Sequence, residues 1–327
     1  MLLDATGVVD GAERIAAGEV GLQEFRRQFE GPRRPVVITG AADGWAARRG
    51  WTAKKLARRF AEDEFKIGTD DDGYAVRLRL KYFLHYLATP RLAADDSPLY
   101  IFEGSLGRSG RGASLLEDYS VPEYFAEDLF QLVGEDRRPP YRWFVWGPAR
   151  SGSGIHVDPL ATSAWNTLLR GRKRWVLFPP GAPRELVKPD IPGVDREAAS
   201  WFAHVYPRTR EAGWPARWRP LEIVQAPGET VFVPSGWWHA VLNLEGTIAV
   251  TQNYVSSVNF PRVWKRTKVG RPKMAVKWYR KLARVRPDLA AMADRVDQGG
   301  EPSLSSASSS SATSSSTTPS SSSSSGG

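Results

Sequence analysis

The chain of 327 residues contains no cysteine, only four histidines and no apolar run long enough to span a membrane. Without cysteine the chain has neither disulfide bonds nor metal sites with thiolate ligands. A membrane span would need about 20 consecutive apolar residues, so we expect no membrane segment. Residues 1–20 carry four acids where a signal peptide would need a basic start and an apolar core. These absences predict a soluble, intracellular protein.

Three stretches each lack one kind of side chain. Residues 115–136, the acidic segment, carry seven acids and no Lys or Arg, whereas residues 262–286, the basic segment, carry eleven Lys or Arg and no acid. The net charge of the chain is +9, so everything outside the basic segment sums to −2. Residues 302–327 have no charged or aromatic side chain. Such a serine-rich stretch cannot bury enough apolar surface to fold, so we expect it to be disordered.

Two of the four histidines form a candidate metal site with one aspartate. His156 and Asp158 are two residues apart, and alternate residues of an extended backbone project from the same face. His239 follows an alternating apolar run, so it too is predicted to project from a strand. Two histidines and a carboxylate are the facial triad of non-haem Fe(II) oxygenases, which leaves metal positions open for a co-substrate and dioxygen.

Each of these three residues also has a simpler interpretation. A single His156 or His239 could be a hydrogen-bonded core histidine, and Asp158, which precedes Pro159, could cap a helix or a turn. Zinc or nickel would accept the same ligands, because affinity alone does not select iron. A lone H-x-D pattern is therefore weak evidence for an iron enzyme.

Short runs rich in Val, Ile, Phe and Trp, separated by Gly and Pro, predict a sandwich or barrel of strands. Residues 181–220 are richer in proline and charge and are predicted to be an insertion between strands. Before the barrel, the pattern predicts a helix at 21–29, a strand at 35–41, a helix at 53–60 capped by Thr52, and a hairpin of 65–67 with 74–80. The predicted barrel strands are 141–147, 174–180, 221–225, 229–234, 239–244 and 247–255.

The triad occurs within a longer ordered set of motifs. These are Asn166, Lys173, GETVFVPSGWWH at 228–239, TQN at 251–253 and GRPK at 270–273. The set resembles the Jumonji-C dioxygenase family, and within it the branch described as bifunctional arginine demethylase and lysyl hydroxylase. The resemblance extends from about residue 31 to about residue 297 and is far more specific than the H-x-D pattern alone.

The resemblance implies a mainly β fold with flanking helices, the double-stranded β-helix or cupin-like jelly roll. In this arrangement N-terminal helical and strand elements (1–140) pack on a barrel core (141–260). A basic helical segment (261–298) follows the core, and the serine-rich tail (299–327) ends the chain.

The resemblance also implies the site. His156, Asp158 and His239 would bind Fe(II), and the co-substrate would be 2-oxoglutarate. Its distal carboxylate would be held by Lys173 with the hydroxyls of Thr251 and Tyr100, and Asn166 would line the same pocket. Lys173 could instead be a surface residue of the basic GRKRW turn, and Asn166 and Thr251 could simply satisfy barrel strands.

The implied activity is hydroxylation of lysine side chains, with demethylation of methyl-arginine as a second reaction. Histone tails and arginine/serine-rich splicing factors are the implied substrates, and the nucleus is the implied location. The acidic segment is interpreted either as an amphipathic helix with its acids in water or as an acidic rim that attracts basic peptides.

The basic segment is predicted to form an amphipathic helix with an apolar stripe of Met274, Trp278, Leu282 and Val285. Its outer face could bind RNA or act as a nuclear-import signal, and the family resemblance implies a homodimer formed through helices in this region. Two other functions remain open for the barrel: an RNA-associated scaffold, and a metal-dependent isomerase or sugar enzyme of the cupin type.

Overall fold

A computed structural model describes residues 3–70, 72–107, 112–192 and 197–300. The predicted disorder of the serine-rich tail falls almost entirely outside these residues. Within them, two β-sheets pack face to face, and helices cover the outer faces of both. No helix in the described part of the chain is long and apolar enough to cross a membrane.

Thirteen strands are found in the described residues, and most are short runs of β-branched and aromatic side chains. They are β1 (Arg14–Ala16), β2 (Val36–Thr39), β3 (Glu64–Thr69), β4 (Ala75–Arg79), β5 (Ile101–Glu103), β6 (Arg142–Gly147), β7 (Gly152–His156), β8 (Ser163–Arg170), β9 (Lys173–Phe178), β10 (Leu221–Gln225), β11 (Thr230–Val233), β12 (Trp238–Asn243) and β13 (Thr247–Tyr254).

The larger sheet has the order β1-β2-β11-β8-β13-β6-β5, and the smaller sheet has the order β10-β9-β12-β7. Strands β6 to β13 are divided between the two sheets in antiparallel pairs and change sheet at each step except from β9 to β10, which is the arrangement of a jelly roll. Strands β1, β2 and β5 extend the larger sheet from the N-terminal part of the chain. The predicted cupin-like jelly roll is confirmed.

The helices lie outside the sheets. They are α1 (Leu22–Phe25), which continues as a π-helical turn (Arg26–Glu30), α2 (Ala46–Gly50), α3 (Ala53–Phe60), α4 (Leu80–Leu87), α5 (Arg184–Val187), α6 (Ala198–His204), α7 (Phe260–Gly270), α8 (Pro272–Val285) and α9 (Pro287–Asp297). Thr52 caps α3 as predicted, because its hydroxyl accepts a hydrogen bond from the Lys55 amide at 3.3 Å. Helices α5 and α6 belong to the predicted insertion between β9 and β10.

Alternation along the strands decides which side chains enter the barrel. On β9, Trp175 and Leu177 belong to an apolar cluster that also contains Val241 of β12 and Ala164 of β8. This cluster draws on both sheets and therefore marks the interior between them. Residues two positions from its members share that interior face.

One of the two interpretations of the acidic segment, the amphipathic helix, is wrong. The acidic segment forms three short 3-10 turns, Ala113–Glu117, Glu123–Phe125 and Leu129–Val133, rather than one amphipathic helix. Pro122 and Gly134 account for this, since proline removes a helical hydrogen bond and Gly134 has a φ of 83°.

The basic segment divides into α7 and α8 at Arg271, because Pro272 starts a new helix. Met274, Trp278 and Leu282 are buried as predicted. Val285 is 55% exposed, so the predicted apolar stripe ends one turn early.

Candidate metal centre

The predicted triad is assembled in the structure. His156 ends β7 and His239 is the second residue of β12, and the two residues are direct partners in the antiparallel pair of these strands. Their ring centroids lie 4.1 Å apart. One ligand atom each of His156, Asp158 and His239 lies within 4.8 Å of the others, a spacing that allows all three to hold one metal ion.

Hydrogen bonds fix which ring nitrogen each histidine presents. His156 Nδ1 lies 2.8 Å from the Gly154 carbonyl, and His239 Nδ1 lies 3.2 Å from the Trp237 carbonyl. A carbonyl can only accept, so both Nδ1 atoms carry the proton and Nε2 is the metal-binding nitrogen. Burial, together with the neighbouring His156, lowers the pKa of His239 to about 4. The ring is therefore neutral at physiological pH, as a metal ligand must be.

The carboxylate of Asp158 is placed for a cation rather than for a cap. Its Oδ2 atom is buried and has no hydrogen-bond partner among the described residues. Asp158 precedes the short 3-10 turn Pro159–Ala161, yet its side chain makes no capping hydrogen bond to that turn. A buried carboxylate oxygen without a partner is costly unless a cation satisfies it. The cap interpretation is wrong, and the site fits a metal.

The backbone after Asp158 is strained. Leu160 and Ala161 have φ values of 57° and 56°, a conformation that side chains other than glycine rarely adopt. Leu160 packs against the apolar cluster of α7, α8 and α9, and the Thr162 hydroxyl accepts a hydrogen bond from Asn253 Nδ2 at 2.8 Å. The C-terminal helices therefore help to hold the loop that carries the carboxylate ligand.

Lys173 lies inside the barrel. It starts β9, is 1% exposed and shares the interior face with Trp175 and Leu177. Burial lowers the pKa of its ammonium to about 7. Its Nζ atom donates a hydrogen bond to Asn243 Oδ1 at 3.1 Å, and no carboxylate of the described residues forms an ion pair with it. The interpretation of Lys173 as a surface residue is wrong.

The other three predicted residues lie on neighbouring strands. Asn166 on β8 and Thr251 on β13 are direct partners in the larger sheet. The Oδ1 atom of Asn166 is buried without a hydrogen-bond partner in the described part of the chain, whereas the Thr251 hydroxyl donates to the Trp165 carbonyl at 2.8 Å. The Thr251 hydroxyl thus has a partner within the sheet, and its contact with the co-substrate stays a prediction. The Tyr100 ring centroid lies 5.9 Å from Lys173 Nζ, and burial raises the pKa of its hydroxyl, which keeps it neutral.

Two residues that the sequence analysis did not select also belong to this end of the barrel. Asn243 contacts Lys173 directly, and Ser151 contacts Asn243. Asn243 lies four residues after His239, so alternation along β12 places both on the interior face. That spacing was the available signal for Asn243. Ser151 lies in the loop between β6 and β7, where no periodicity applies.

The arrangement combines a metal site at one end of the interior with a buried cation deeper inside. His239 pairs with Leu177 across β12 and β9, whereas Asn243 pairs with Lys173 four residues further along. A ligand that chelates the metal and carries a second anionic group could therefore reach Lys173. The burial of His239 and Lys173 would limit the access of water to a reactive group.

Comparison with known proteins identifies the family. The cupin-like domain family matches residues 22–260, and the chain belongs to it. The chain is 50% identical over 283 residues to the bifunctional arginine demethylase and lysyl-hydroxylase psr-1 of Caenorhabditis elegans, a match that covers 86% of this chain and 70% of that protein. The predicted resemblance to this Jumonji-C branch is confirmed.

Two further relatives bear different names. The lysine-specific demethylase JMJ21 of Arabidopsis thaliana is 42% identical over 248 residues, which covers 74% of this chain and 25% of the relative. The human 2-oxoglutarate and iron-dependent oxygenase JMJD4 is 30% identical over 287 residues, which covers 80% of this chain and 67% of the relative. The relatives are thus named for more than one reaction.

Proposed function

We propose that this protein is an Fe(II)- and 2-oxoglutarate-dependent dioxygenase that hydroxylates lysine side chains of proteins, with demethylation of methyl-arginine as a second reaction. The enzyme class is supported by the names of the relatives and by the complete triad of His156, Asp158 and His239. The scaffold alternative is not supported, because the triad and Lys173 are all retained and the relatives are named as enzymes. The buried, unpartnered Oδ2 of Asp158 is the observation that carries the proposal.

The roles of the residues follow from their positions. His156 and His239 would bind the metal through Nε2, and Asp158 through the carboxylate. Fe(II) would supply the oxidising chemistry with dioxygen and 2-oxoglutarate. Lys173 would bind the distal carboxylate of 2-oxoglutarate with the hydroxyls of Thr251 and Tyr100, and Asn166 would line the same pocket.

The substrates we propose are lysine- and arginine-rich segments of histones or of arginine/serine-rich splicing factors. The names of the relatives at 50% and 42% identity support a protein substrate. The acidic segment gives less support for the binding of basic peptides than its composition indicates. Four of its seven acids form ion pairs within the protein.

The test is succinate release by Fe(II)-loaded protein given oxygen and 2-oxoglutarate, with and without a lysine- and arginine-rich peptide, followed by mass spectrometry of the peptide. We expect peptide-dependent succinate and one added oxygen mass on lysine. Loss of a methyl mass from a methylated arginine would reveal the second reaction. His156→Ala should abolish succinate formation, whereas His204→Ala, a change at an exposed histidine, should not. Turnover in the His156→Ala variant would contradict the proposed site.

A second proposed function is RNA binding by the basic segment. A cleft of about 420 Å³ at the junction of α7 and α8 is lined by four cations and no carboxylate. These cations form no ion pair with any described residue. The phosphate backbone of a single-stranded RNA has the charge to match them. The four cations are Arg137, Arg271, Lys273 and Lys277.

Binding of a fluorescent single-stranded RNA at several salt concentrations tests this proposal. Arg271→Gln, Lys273→Gln and Lys277→Gln together should weaken binding and reduce its dependence on salt by roughly one to three counterions. The control is Lys54→Gln with Arg58→Gln on the exposed face of α3, which removes two cations instead of three, so the loss per cation is compared. Equal loss per cation in both variants would show that RNA responds to net charge and not to this cleft.

We also propose a nuclear location and a homodimer formed through α7, α8 and α9. Val269 and Val276 are 84% and 53% exposed, and a cleft of about 470 Å³ between these helices is lined by Trp264, Val276 and Tyr279 among others. Exposed apolar residues around a cleft are typical of a subunit contact. Light scattering should give a dimer that Val269→Lys with Val276→Lys converts to a monomer, and a fluorescent fusion should report the location.

A further inference from the structure

The buried ammonium of Lys173 is held by an amide and not by an acid. Asn243 is 0% exposed, and its Oδ1 atom is the hydrogen-bond acceptor of Lys173 Nζ at 3.1 Å. A neutral acceptor orients the ammonium without cancelling its charge. In the described part of the chain, no acid cancels the charge that Lys173 carries when protonated, so this charge is available to an anion that enters the barrel.

A chain of hydrogen bonds determines whether the oxygen or the nitrogen of the Asn243 side-chain amide lies next to Lys173. The Pro148 carbonyl can only accept, so the Ser151 hydroxyl, 2.6 Å away, must donate to it. The Ser151 oxygen then accepts from Asn243 Nδ2 at 2.9 Å. This leaves Oδ1 of Asn243 facing Lys173. One backbone carbonyl thus sets the orientation of the whole relay.

The loop that supplies this carbonyl is fixed to the same asparagine. The Arg150 amide donates to the Asn243 carbonyl at 2.9 Å, and the Asn243 amide donates to the Ser151 carbonyl at 2.8 Å. Arg150 has a φ of 72°, a costly conformation for this residue type. Its guanidinium donates to the Leu92 carbonyl at 2.6 Å, which holds the turn in place.

Ser151 and Tyr100 leave no room for a side chain at residue 147. A Cβ atom at Gly147 would lie 2.3 Å from Ser151 Oγ and 2.4 Å from Tyr100 Cδ2. Real side chains do not approach so closely, so residue 147 must be glycine for both groups to keep their places. Ser151 and Tyr100 therefore reach the Lys173 end of the barrel side by side.

We propose that Ser151 and Asn243 are positioning residues for the co-substrate, which orient Lys173 without neutralising it, so that its protonated form meets the distal carboxylate of 2-oxoglutarate. The inference rests on the proposed function, because it takes 2-oxoglutarate as the ligand of Lys173. A carboxylate at position 243 would supply the same shape but would neutralise the cation. The relay thus explains why the acceptor is an amide.

Calorimetric titration of 2-oxoglutarate into the Zn(II)-loaded protein tests the relay without turnover. Removing the hydroxyl in Ser151→Ala frees the amide to rotate, so we expect about tenfold weaker binding, which is the loss of one hydrogen bond of about 1.4 kcal/mol. In the Fe(II) enzyme the KM for 2-oxoglutarate should rise by a similar factor, and kcat should stay within about twofold. Thr267→Val, which removes a buried hydroxyl from α7, is the matched control.

Asn243→Asp should change the proton uptake that accompanies binding of 2-oxoglutarate, which a purely structural role of Asn243 would leave unchanged. In the wild type at pH 8, Lys173 should take up a proton when 2-oxoglutarate binds, because its pKa is about 7 in the free protein. In Asn243→Asp the ammonium is already paired. We therefore expect affinity to fall by about a hundredfold or more and proton uptake, measured in buffers of different ionisation enthalpy, to disappear.

The outcomes separate the two levels of the inference. If the wild type binds 2-oxoglutarate in a Lys173-dependent way while Ser151→Ala and Asn243→Asp keep its affinity and proton uptake, the relay is overturned and the proposed function stands. If the wild type does not bind 2-oxoglutarate, or binds it equally well after Lys173→Met, the proposed ligand itself is wrong.

Discussion

The acidic and basic segments have mirror-image compositions but opposite structural roles. Four of the seven acids are bound within the protein, whereas of the eleven cations only Lys268 and Arg286 form ion pairs with described residues. Most acids of the acidic segment form ion pairs that stabilise the fold, whereas most cations of the basic segment are exposed to solvent. The paired acids are Asp118 with Arg59, Glu127 with Arg26 and Arg286, Asp128 with Arg138, and Glu135 with Arg142.

Burial explains the difference. The Asp128 and Arg138 side chains are 8% and 0% exposed, so neither charge can be left without the other. Glu127 joins three parts of the chain, because it pairs with Arg26 of the π-helical turn and with Arg286 before α9, and accepts from the Ser257 amide and hydroxyl. The cations of α8 lie on its outer face, where water solvates them. Mutations should therefore separate stability from binding.

The largest expected effect is the loss of the buried pair. Asp128→Asn removes the carboxylate charge from a buried ion pair with Arg138, so we expect a loss of about 3–5 kcal/mol in the free energy of unfolding. Urea denaturation measures it. Asp136→Asn, at an exposed acid of the same segment, is the control and should change stability by less than about 0.5 kcal/mol. Equal effects of the two changes would contradict the structural role of Asp128.

A smaller loss is expected from Glu127→Gln. The amide keeps the shape and still accepts from Ser257, but it loses the charge that holds Arg26 and Arg286. Two partly exposed ion pairs of this kind predict a loss of about 1–2 kcal/mol by the same denaturation measurement. Glu127→Asp keeps the charge, but we expect it to be less stable than the wild type as well, because the shorter side chain cannot reach both arginines.

The effect of Glu127→Gln should also depend on pH. Burial alone would raise the pKa of Glu127, but the hydrogen bonds from Ser257 and the charges of Arg26 and Arg286 outweigh it and hold the pKa below its ordinary value of 4.5. A depressed carboxylate pKa adds stability above the unfolded value, and that stability is lost as the pH falls through the folded value. The difference between wild type and Glu127→Gln should therefore shrink below pH 4.5. A constant difference from pH 7 to pH 3 would contradict it.

The smallest effect on stability is expected in the basic segment. Arg271→Gln, Lys273→Gln and Lys277→Gln remove cations that repel one another and have no partner among the described residues. The free energy of unfolding should change by less than about 0.5 kcal/mol, or rise slightly. Thermal melts of the triple variant and of Lys268→Gln, which loses the ion pair with Asp297, make the comparison. A large destabilisation of the triple variant would show that the segment, too, is structural.

Sequence periodicity predicted most of the barrel. The six predicted runs correspond to β6 and β9 to β13, because buried strands of Val, Ile, Phe and Trp leave a clear pattern. β7 and β8 were not among those runs. The Gly-Ser-Gly start of β7 has little strand propensity, and β8 mixes Asn166 and Thr167 with apolar residues. Their strand form comes from pairing with β12 and β13, which a local pattern cannot show.

The site was more predictable than its support. His156, Asp158 and His239 carry a chemistry that few other residue types supply, so spacing and family resemblance were enough to select them. Ser151 and Asn243 act through hydrogen bonds between segments 92 residues apart, and serine and asparagine are common everywhere. Reactive residues are therefore easier to identify from sequence than the residues that position them.

The direct pairing of His156 with His239 ties the metal site to strand register. A slip of β7 by one residue along β12 would turn His156 to the outside of the barrel, since neighbouring side chains point to opposite faces. The ligand set exists in one alignment of these strands, so an ion that binds it stabilises that alignment over its near neighbours. Metal binding at this site would thus also favour the correct register of β7 and β12 during folding.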